Sequence, residues 1–449
     1  MHASVAKVLH PLCGRPMVCW VVDAAREAGC TPVVVVHHQE DAVRAALPGV
    51  ACVRQEAPRG TGDAVRAARA VLPATGTVLV LPGDTPLVRP ATLADLLVRH
   101  PGRACTLLTL HPADPGAYGR VVREGDRVLG VVEAAEATPV ELGIQEVNAG
   151  IYALDAAWLV DRALPALRPH PPKGEFHLTD VVALAAKEGR LDAYGSDDPE
   201  ELAGVNDRLA LAHAEDVLQA RILATHALAG VTFQRPATIR VEAGVVLAPD
   251  VVVEPGAVLA GSTVVGAGAR IGAHAVLCDT VVAPGARVEP GSICEGARVG
   301  EEAVVGPMAH LRPGAVLERR ARAGNFVEVK EAVLGEGVRA SHLSYLGDAT
   351  VGEGTNVGAG TITCNYDGYQ KLATVIGKDV LIGSNTAFVA PVSVGDHAVI
   401  GAGSVVTHDV PADALAVGRA RQVTHPDAAP QVRERFRSRA ASAGRDPKR

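Results

Sequence analysis

A chain of 449 residues is too long for one ordinary hydrophobic core, so two or three domains are expected. Its apolar content of 48% comes from Ala, Val and Leu, while aromatics reach only 3% and the net charge is −7, which together speak against an aromatic platform for nucleic acid. The eight cysteines (13, 19, 30, 52, 105, 278, 294 and 364) show no CxxC and no His/Cys cluster, so reduced thiols in a cytoplasmic protein are expected and a zinc site is not. No apolar run approaches the ~18 residues of a membrane span, and Pro11, Arg15 and Pro16 interrupt the N-terminal stretch in a way that argues against a signal peptide.

From about residue 16 to 205, strand-like and helix-like segments alternate. A helix is predicted over Met17 to Ala28, strands at Val33 to Val36 and near Val50 to Val53, a helix from Thr61 to Leu72, and then the strand Val78-Leu-Val-Leu that runs into Pro82-Gly-Asp84. Such alternation predicts a mostly parallel sheet with helices on both faces, and ligands in such sheets gather at the carboxyl ends of the strands. Asp84 lies just past one of those ends. No strand precedes the first helix, although the first strand of a doubly wound sheet is normally an interior one. The expectation is therefore a gap in the sheet, with either a fold that begins upstream of Met1 or a crippled domain.

From about Asp207 to Ala227 the pattern predicts one helix, ended by Gly230 and roughly 30 Å long, that links two domains. After it an aliphatic residue recurs at every sixth position, at Val241, Leu247, Val253, Leu259, Val265, Ile271 and Leu277, and again at Ile376, Ile382, Phe388, Val394, Ile400 and Val406. A period of six is neither helical nor that of a plain amphipathic strand. With small and turn-forming residues between the anchors, it predicts a parallel β-helix of hexapeptides, three to a coil, each placing one aliphatic side chain inside a stacked prism. Beyond His425 the composition turns to Arg, Ala, Ser and Pro, and a disordered basic tail is expected.

Three segments carry chemistry in order: Gly324-Asn-Phe-Val-Glu-Val-Lys330, Ser341-His-Leu-Ser-Tyr-Leu-Gly-Asp348 and Gly358-Ala-Gly-Thr-Ile-Thr-Cys-Asn-Tyr-Asp-Gly368. The first half adds Lys7-Val-Leu-His-Pro-Leu, Gln55 with Gly60-Thr-Gly62, Gly83-Asp-Thr-Pro-Leu87, Tyr118-Gly-Arg120, Val132-Glu133, Val147-Asn-Ala-Gly150 and Gly204-Val-Asn-Asp-Arg208. From residue 1 to about 423 the series resembles the bacterial bifunctional N-acetylglucosamine-1-phosphate uridylyltransferase and glucosamine-1-phosphate N-acetyltransferase family.

The resemblance implies an α/β plus β architecture. It comprises a Rossmann-like nucleotidyltransferase domain (1–206), a linker helix (207–229), a left-handed parallel β-helix (230–424) and the tail (425–449). Glucosamine-1-phosphate, acetyl-CoA and UTP would be the substrates, Mg²⁺ the cofactor and a homotrimer the assembly, with no nucleic-acid or membrane partner.

For acetyl transfer an amine must lose its proton near neutral pH, a task suited to histidine. The family motif makes His342 the general base and Glu328 the residue that orients it. Arg312 and Lys330 would hold the sugar phosphate, with Tyr345 and Asn356 beside the sugar. The resemblance assigns acetyl-CoA to Ala359, Asn365, Tyr366, Ser384, Ala402 and Arg419.

For uridylyl transfer it gives Asp84 and Asn206 as oxygen ligands of Mg²⁺ and Lys7 to the phosphates. Gln55, Gly60 and Thr61 would read uracil, and Gly119, Glu133 and Asn148 would hold the sugar. Three departures from the family pattern stand out. The Gly-rich loop ending in Gly-Thr-Arg is absent before Met1, Ala6 replaces a proline, and Ala134 and Ala135 follow Glu133 where a lysine is usual. A start codon assigned too far downstream is the preferred explanation of the first. Alternatives of other classes are an acetyltransferase with a silent front domain and a non-catalytic hexapeptide scaffold.

Overall fold

The computed structural model describes residues 5–443; Met1 and the last residues of the expected tail, 444–449, lie outside the described residues. The chain packs as two compact units, residues 1–264 and 265–449, so the division falls inside the hexapeptide stretch.

In the first unit, helix Met17–Glu27 buries Val18, Val21, Val22 and Ala25 on the face that its apolar spacing predicts. Val33–Val36 and Ala51–Arg54 pair in parallel. A six-stranded sheet lies beside them and is mixed rather than mostly parallel: Leu191–Gly195 runs parallel to Cys105–Leu110, but Val147–Asp155 runs antiparallel to both Cys105–Leu110 and Thr77–Val80. The cause is partly local. Arg120–Glu124 and Arg127–Val132 are separated by two residues, Gly125 and Asp126, too few for anything but an antiparallel hairpin. Among the described residues, the Val33–Val36 pair and the six-stranded sheet form separate ladders. The helix predicted from Thr61 to Leu72 is shorter, Thr61–Ala67, with a 3₁₀ turn at Arg69–Val71.

The long helix forms at Arg208–Leu228, started by Asp207, whose carboxylate accepts from the Ala210 amide at 2.8 Å. It buries Ala214 and Leu218 against Leu12, Met17, Leu87 and Val205. The first hexapeptide strands, Thr232–Phe233 and Arg240–Val241, pair in parallel with Val252–Val253 and Val258–Ala260.

The second unit is built from short parallel strands in three sheets, and every sixth-residue anchor the sequence singles out is buried. Most coils repeat after 17 or 18 residues, as where Ile293 pairs with His310 and His310 with Glu328. One coil is longer: Ile362 pairs with Ala387, 25 residues on, and the excess carries Asn365 and Tyr366. Corner hydroxyls cap the carbonyls that the turns leave free, Thr361 donating to Gly358 O and Thr386 to Gly383 O, both at 2.6 Å. Among the described residues no disulfide forms, and burial pushes the Cys294 thiol up to about 12.

One expectation is overturned. The stretch thought to be disordered carries a helix, Ala428–Ser442. Ala, Arg and Gln favour helix intrinsically, but the segment has no apolar stripe, so all its residues stay unburied. No helix among the described residues is long and apolar enough to cross a membrane.

Phe388 is the largest fully buried side chain. Phe388→Ala should leave a void in the prism and cost about 3–5 kcal/mol, read as an earlier urea midpoint for the loss of β-structure by circular dichroism. An unchanged midpoint would mean that the coil collapses onto the gap.

Candidate functional site

A cavity of about 240 Å³ opens in the first unit, lined by Asp84, Tyr118, Gly119, Glu133, Asn148 and Asn206 among others. Its floor is set by the strand Thr77–Val80, after which the chain turns through Pro82-Gly-Asp-Thr85; Thr85 Oγ1 donates to Pro82 O at 3.0 Å and tightens that turn. The Val205 amide donates to Asp84 O at 2.8 Å, so the residue before Asn206 is pinned to the loop that carries Asp84. Lys7, in the 3₁₀ turn Lys7–Leu9, ion-pairs with Asp84 and donates to Asn206 Oδ1 at 2.7 Å. Three residues far apart in sequence thus meet: two hard oxygen donors with a cation between them.

The sugar-side residues also converge. Asn148 N donates to Gly119 O at 2.9 Å, Asn148 Nδ2 reaches the buried Tyr152 hydroxyl at 2.6 Å, and Thr179 Oγ1 donates to Glu133 Oε1 at 3.0 Å. A Cβ at Gly119 would stand 2.7 Å from Val131 Cγ1, so only glycine fits that wall. Tyr118 lines this cavity, and Thr179 and Tyr152 hold its residues, although sequence reasoning assigned them no role. Tyr118 belongs to a recognisable Tyr-Gly-Arg segment, but nothing local marks Thr179, whose place depends on the fold.

Gln55 is buried and donates to Asp63 Oδ2 at 2.9 Å. Gly60 sits at φ +91° with Phe176 O where a Cβ would go, and Thr61 Oγ1 accepts from Leu178 N at 3.1 Å. Burial disfavours the charge of Asp63, yet hydrogen bonds from Gln55 and Arg66 outweigh it and hold the carboxyl below the usual range.

In the second unit, His342 ends the strand Arg339–His342 and is exposed, stacked in register on Asn325 of the coil below. Glu328 and Tyr345 face each other across the next ladder, where Arg312 N donates to Val329 O at 2.9 Å and Lys330 pairs with Gly347. This register sets Arg312 and Lys330 one coil apart on the same outward position, two cations suited to a phosphate. Arg312 Nη1 donates to Glu328 Oε1 at 3.0 Å. Glu328 is therefore occupied by Arg312, and among the described residues the His342 ring has no hydrogen-bond partner; the expected Glu328–His342 contact is not formed. The Tyr345 hydroxyl accepts from Asn365 Nδ2 at 3.3 Å, and Asn365 is also held by Asp348. Asn356 extends from the ladder position above Arg339. Tyr366 is exposed with the Lys371 ammonium 4.8 Å from its ring centroid. Ala359 and Ser384 lie on successive corners, where Asn385 N donates to Ala359 O and Gly403 N to Ser384 O, both at 2.7 Å. Gly383 packs against Ala402, and Arg419 passes over Gly403.

A family model described as a MobA-like NTP transferase domain matches residues 1–137, and one described as the hexapeptide repeat of succinyl-transferase matches 373–408. Proteins named bifunctional protein GlmU from Pelobacter propionicus and Geobacter metallireducens are each 46% identical, with 94% of this chain and 94% of each relative covered. The one from Sorangium cellulosum is 45% identical over 98% of this chain and 95% of its own length. The chain belongs to the GlmU family. Both halves of the resemblance read from its motifs therefore hold, the transferase half in front and the hexapeptide half behind.

Because the Asp63 carboxyl is depressed in the folded state, its contribution to stability is full above the ordinary carboxylate range and fades as pH falls through the lowered value. Asp63→Asn should cost about 1–3 kcal/mol at pH 7, and thermal melts at decreasing pH should show the gap to the wild type closing in acid. A gap independent of pH would mean that the charge contributes nothing.

Proposed function

We propose that the chain makes UDP-N-acetylglucosamine by two transfers, each at the site where the family motifs place it. The carrying observation is the convergence of Lys7, Asp84 and Asn206 in one unit and, in the other, the coil register that sets Arg312 beside Lys330, Tyr345 on Glu328 and His342 on Asn325. We assign residues 1–206 to uridylyl transfer and 230–424 to acetyl transfer.

In the second unit, glucosamine-1-phosphate would dock with its phosphate on Arg312 and Lys330. His342 takes a proton from the amine as the nitrogen attacks the acetyl thioester, and coenzyme A leaves as the thiol. Ala359, Ser384 and Ala402 leave room beside the prism for the pantetheine arm, with Asn356, Asn365 and Tyr366 at the acetyl end and Arg419 at the phosphates. Glu328 orients through Arg312, which it holds, rather than through the imidazole.

In the first unit, a phosphate oxygen of N-acetylglucosamine-1-phosphate attacks the α-phosphorus of UTP and pyrophosphate leaves. The step needs positioning and charge neutralisation more than covalent chemistry. Asp84 and Asn206 offer the oxygen set that a hard divalent cation prefers, and the Lys7 ammonium already occupies a cation's place between them, so the donor set fits Mg²⁺. When bound, Mg²⁺ supplies positive charge to the triphosphate. Lys7 meets the phosphates, Gln55, Gly60 and Thr61 read the base, and Gly119, Glu133 and Asn148 hold the sugar. These substrates belong to a cytoplasmic enzyme.

A homotrimer completes the reading. Met308, Phe326 and Leu343 recur at one corner of successive coils, next to Asn325 and His342, and are 52%, 58% and 62% exposed. An apolar column beside a catalytic histidine suits burial against another copy.

His342→Ala should lower thiol release from acetyl-CoA with glucosamine-1-phosphate by roughly 10²–10⁴ and leave pyrophosphate release from UTP unchanged; loss of both would sink the two-site reading. In sedimentation, acetyl transfer should travel with the trimer, and a fully active monomer would refute the assembly.

A further inference from the structure

A second candidate cation site lies apart from the Asp84 and Asn206 pair. His170 and Glu175 form an antiparallel bridge around the turn 171–174, with His170 N donating to Glu175 O at 2.7 Å. His177 follows directly, and its ring stacks on that of His170 with centroids 4.4 Å apart and planes 11° from parallel. Glu136 approaches from another segment, after a turn in which its amide donates to Glu133 O at 2.9 Å. One ligand atom each from Glu136, His170 and His177 lie within 4.8 Å of one another.

The hydrogen bonding of His170 suits a metal ligand. His170 Nε2 lies 3.1 and 3.0 Å from the two oxygens of Asp180, so in the neutral ring that nitrogen carries the hydrogen and Nδ1 the lone pair. A carboxylate on the far nitrogen is the usual way a ligating histidine is oriented and made more basic. Nδ1 faces Glu136 Oε1 at 4.0 Å, too far for a hydrogen bond and about twice the ~2.0–2.1 Å length of a zinc–nitrogen or zinc–oxygen bond. The side chain of Glu136 is 57% exposed, so its carboxylate can close the remaining distance without moving the backbone.

We propose that His170, His177 and Glu136 bind a divalent transition-metal ion, Zn²⁺, with Asp180 as the outer partner that positions His170. Imidazole donors select such an ion over the magnesium that suits an all-oxygen pair. The sequence gives no hint of it: Glu136 is remote from the two histidines, and no cysteine takes part. The ion would fasten the turn that carries Glu133 to the segment that leads into Thr179, the residue bonded to Glu133. It is therefore a clamp on one wall of the cavity and takes no part in the transfer chemistry.

The test is zinc binding by the full chain, stripped with chelator and titrated against a chromophoric indicator in the presence of excess Mg²⁺. About one zinc per chain should bind. His170→Ala and His177→Ala should abolish that binding, and Asp180→Asn should weaken it roughly 10- to 100-fold. Glu136→Gln, at an exposed position, should also weaken it, with circular dichroism confirming the fold of each variant. Co²⁺ should give visible absorption bands in the wild type that the histidine variants lose. No zinc above the buffer blank, or wild-type affinity in the folded His177→Ala and Glu136→Gln chains, would overturn the site. The result does not depend on whether the chain transfers uridylyl groups.

Discussion

Each coil of the prism passes its backbone hydrogens to the next: Glu328 N to Ser344 O at 2.9 Å, Tyr345 N to Thr361 O at 3.0 Å and Ile362 N to Thr386 O at 2.9 Å. This ladder is possible only if successive coils keep register, and the buried aliphatic of each hexapeptide enforces that, because a one-residue slip would turn it outward. The residues proposed for acetyl transfer inherit their spacing from the same constraint. Arg312 and Lys330 are neighbours through one coil repeat, and Glu328 and Tyr345 through another. No long-range loop has to fold to bring them together. Where the site needs reach, a coil is lengthened, and the insertion after Cys364 carries Asn365 back to Tyr345.

The first unit builds its site differently. Its candidate residues are tied across long sequence distances: Lys7 to Asn206, the loop of Asp84 to Val205, Glu133 to Thr179 and Gly62 to Phe176. Such a cavity depends on packing beneath it. Leu93, Leu96, Leu108 and Ile151 form one apolar cluster under the sheet, and Leu107, Leu154 and Val182 belong to another. Glycine is needed where Gly60 meets the Phe176 backbone.

The contrast explains what could be read in advance. Hexapeptide anchors are visible because their period is a property of the chain, and all of them are buried. The long helix is visible because Asp207 and Gly230 punctuate it. Strand direction in the front domain was misjudged because a hairpin and a crossover have similar composition, and only the pairing of Val147–Asp155 decides between them. The helix at Ala428–Ser442 was missed because low apolar content says that a segment will not pack, which is different from saying that it will not coil.

Local pattern alone thus determined the hexapeptide prism, the connecting helix and the ordered motifs that carry the family, because each depends on residues close in sequence. The tertiary structure alone decided which partner each charge takes. It gave Glu328 to Arg312 rather than to His342, placed the Lys7 ammonium between Asp84 and Asn206, and set Glu136 against His170. Electrostatic partners are chosen by distance in space, and for residues on different segments that distance exists only once the apolar cores have closed.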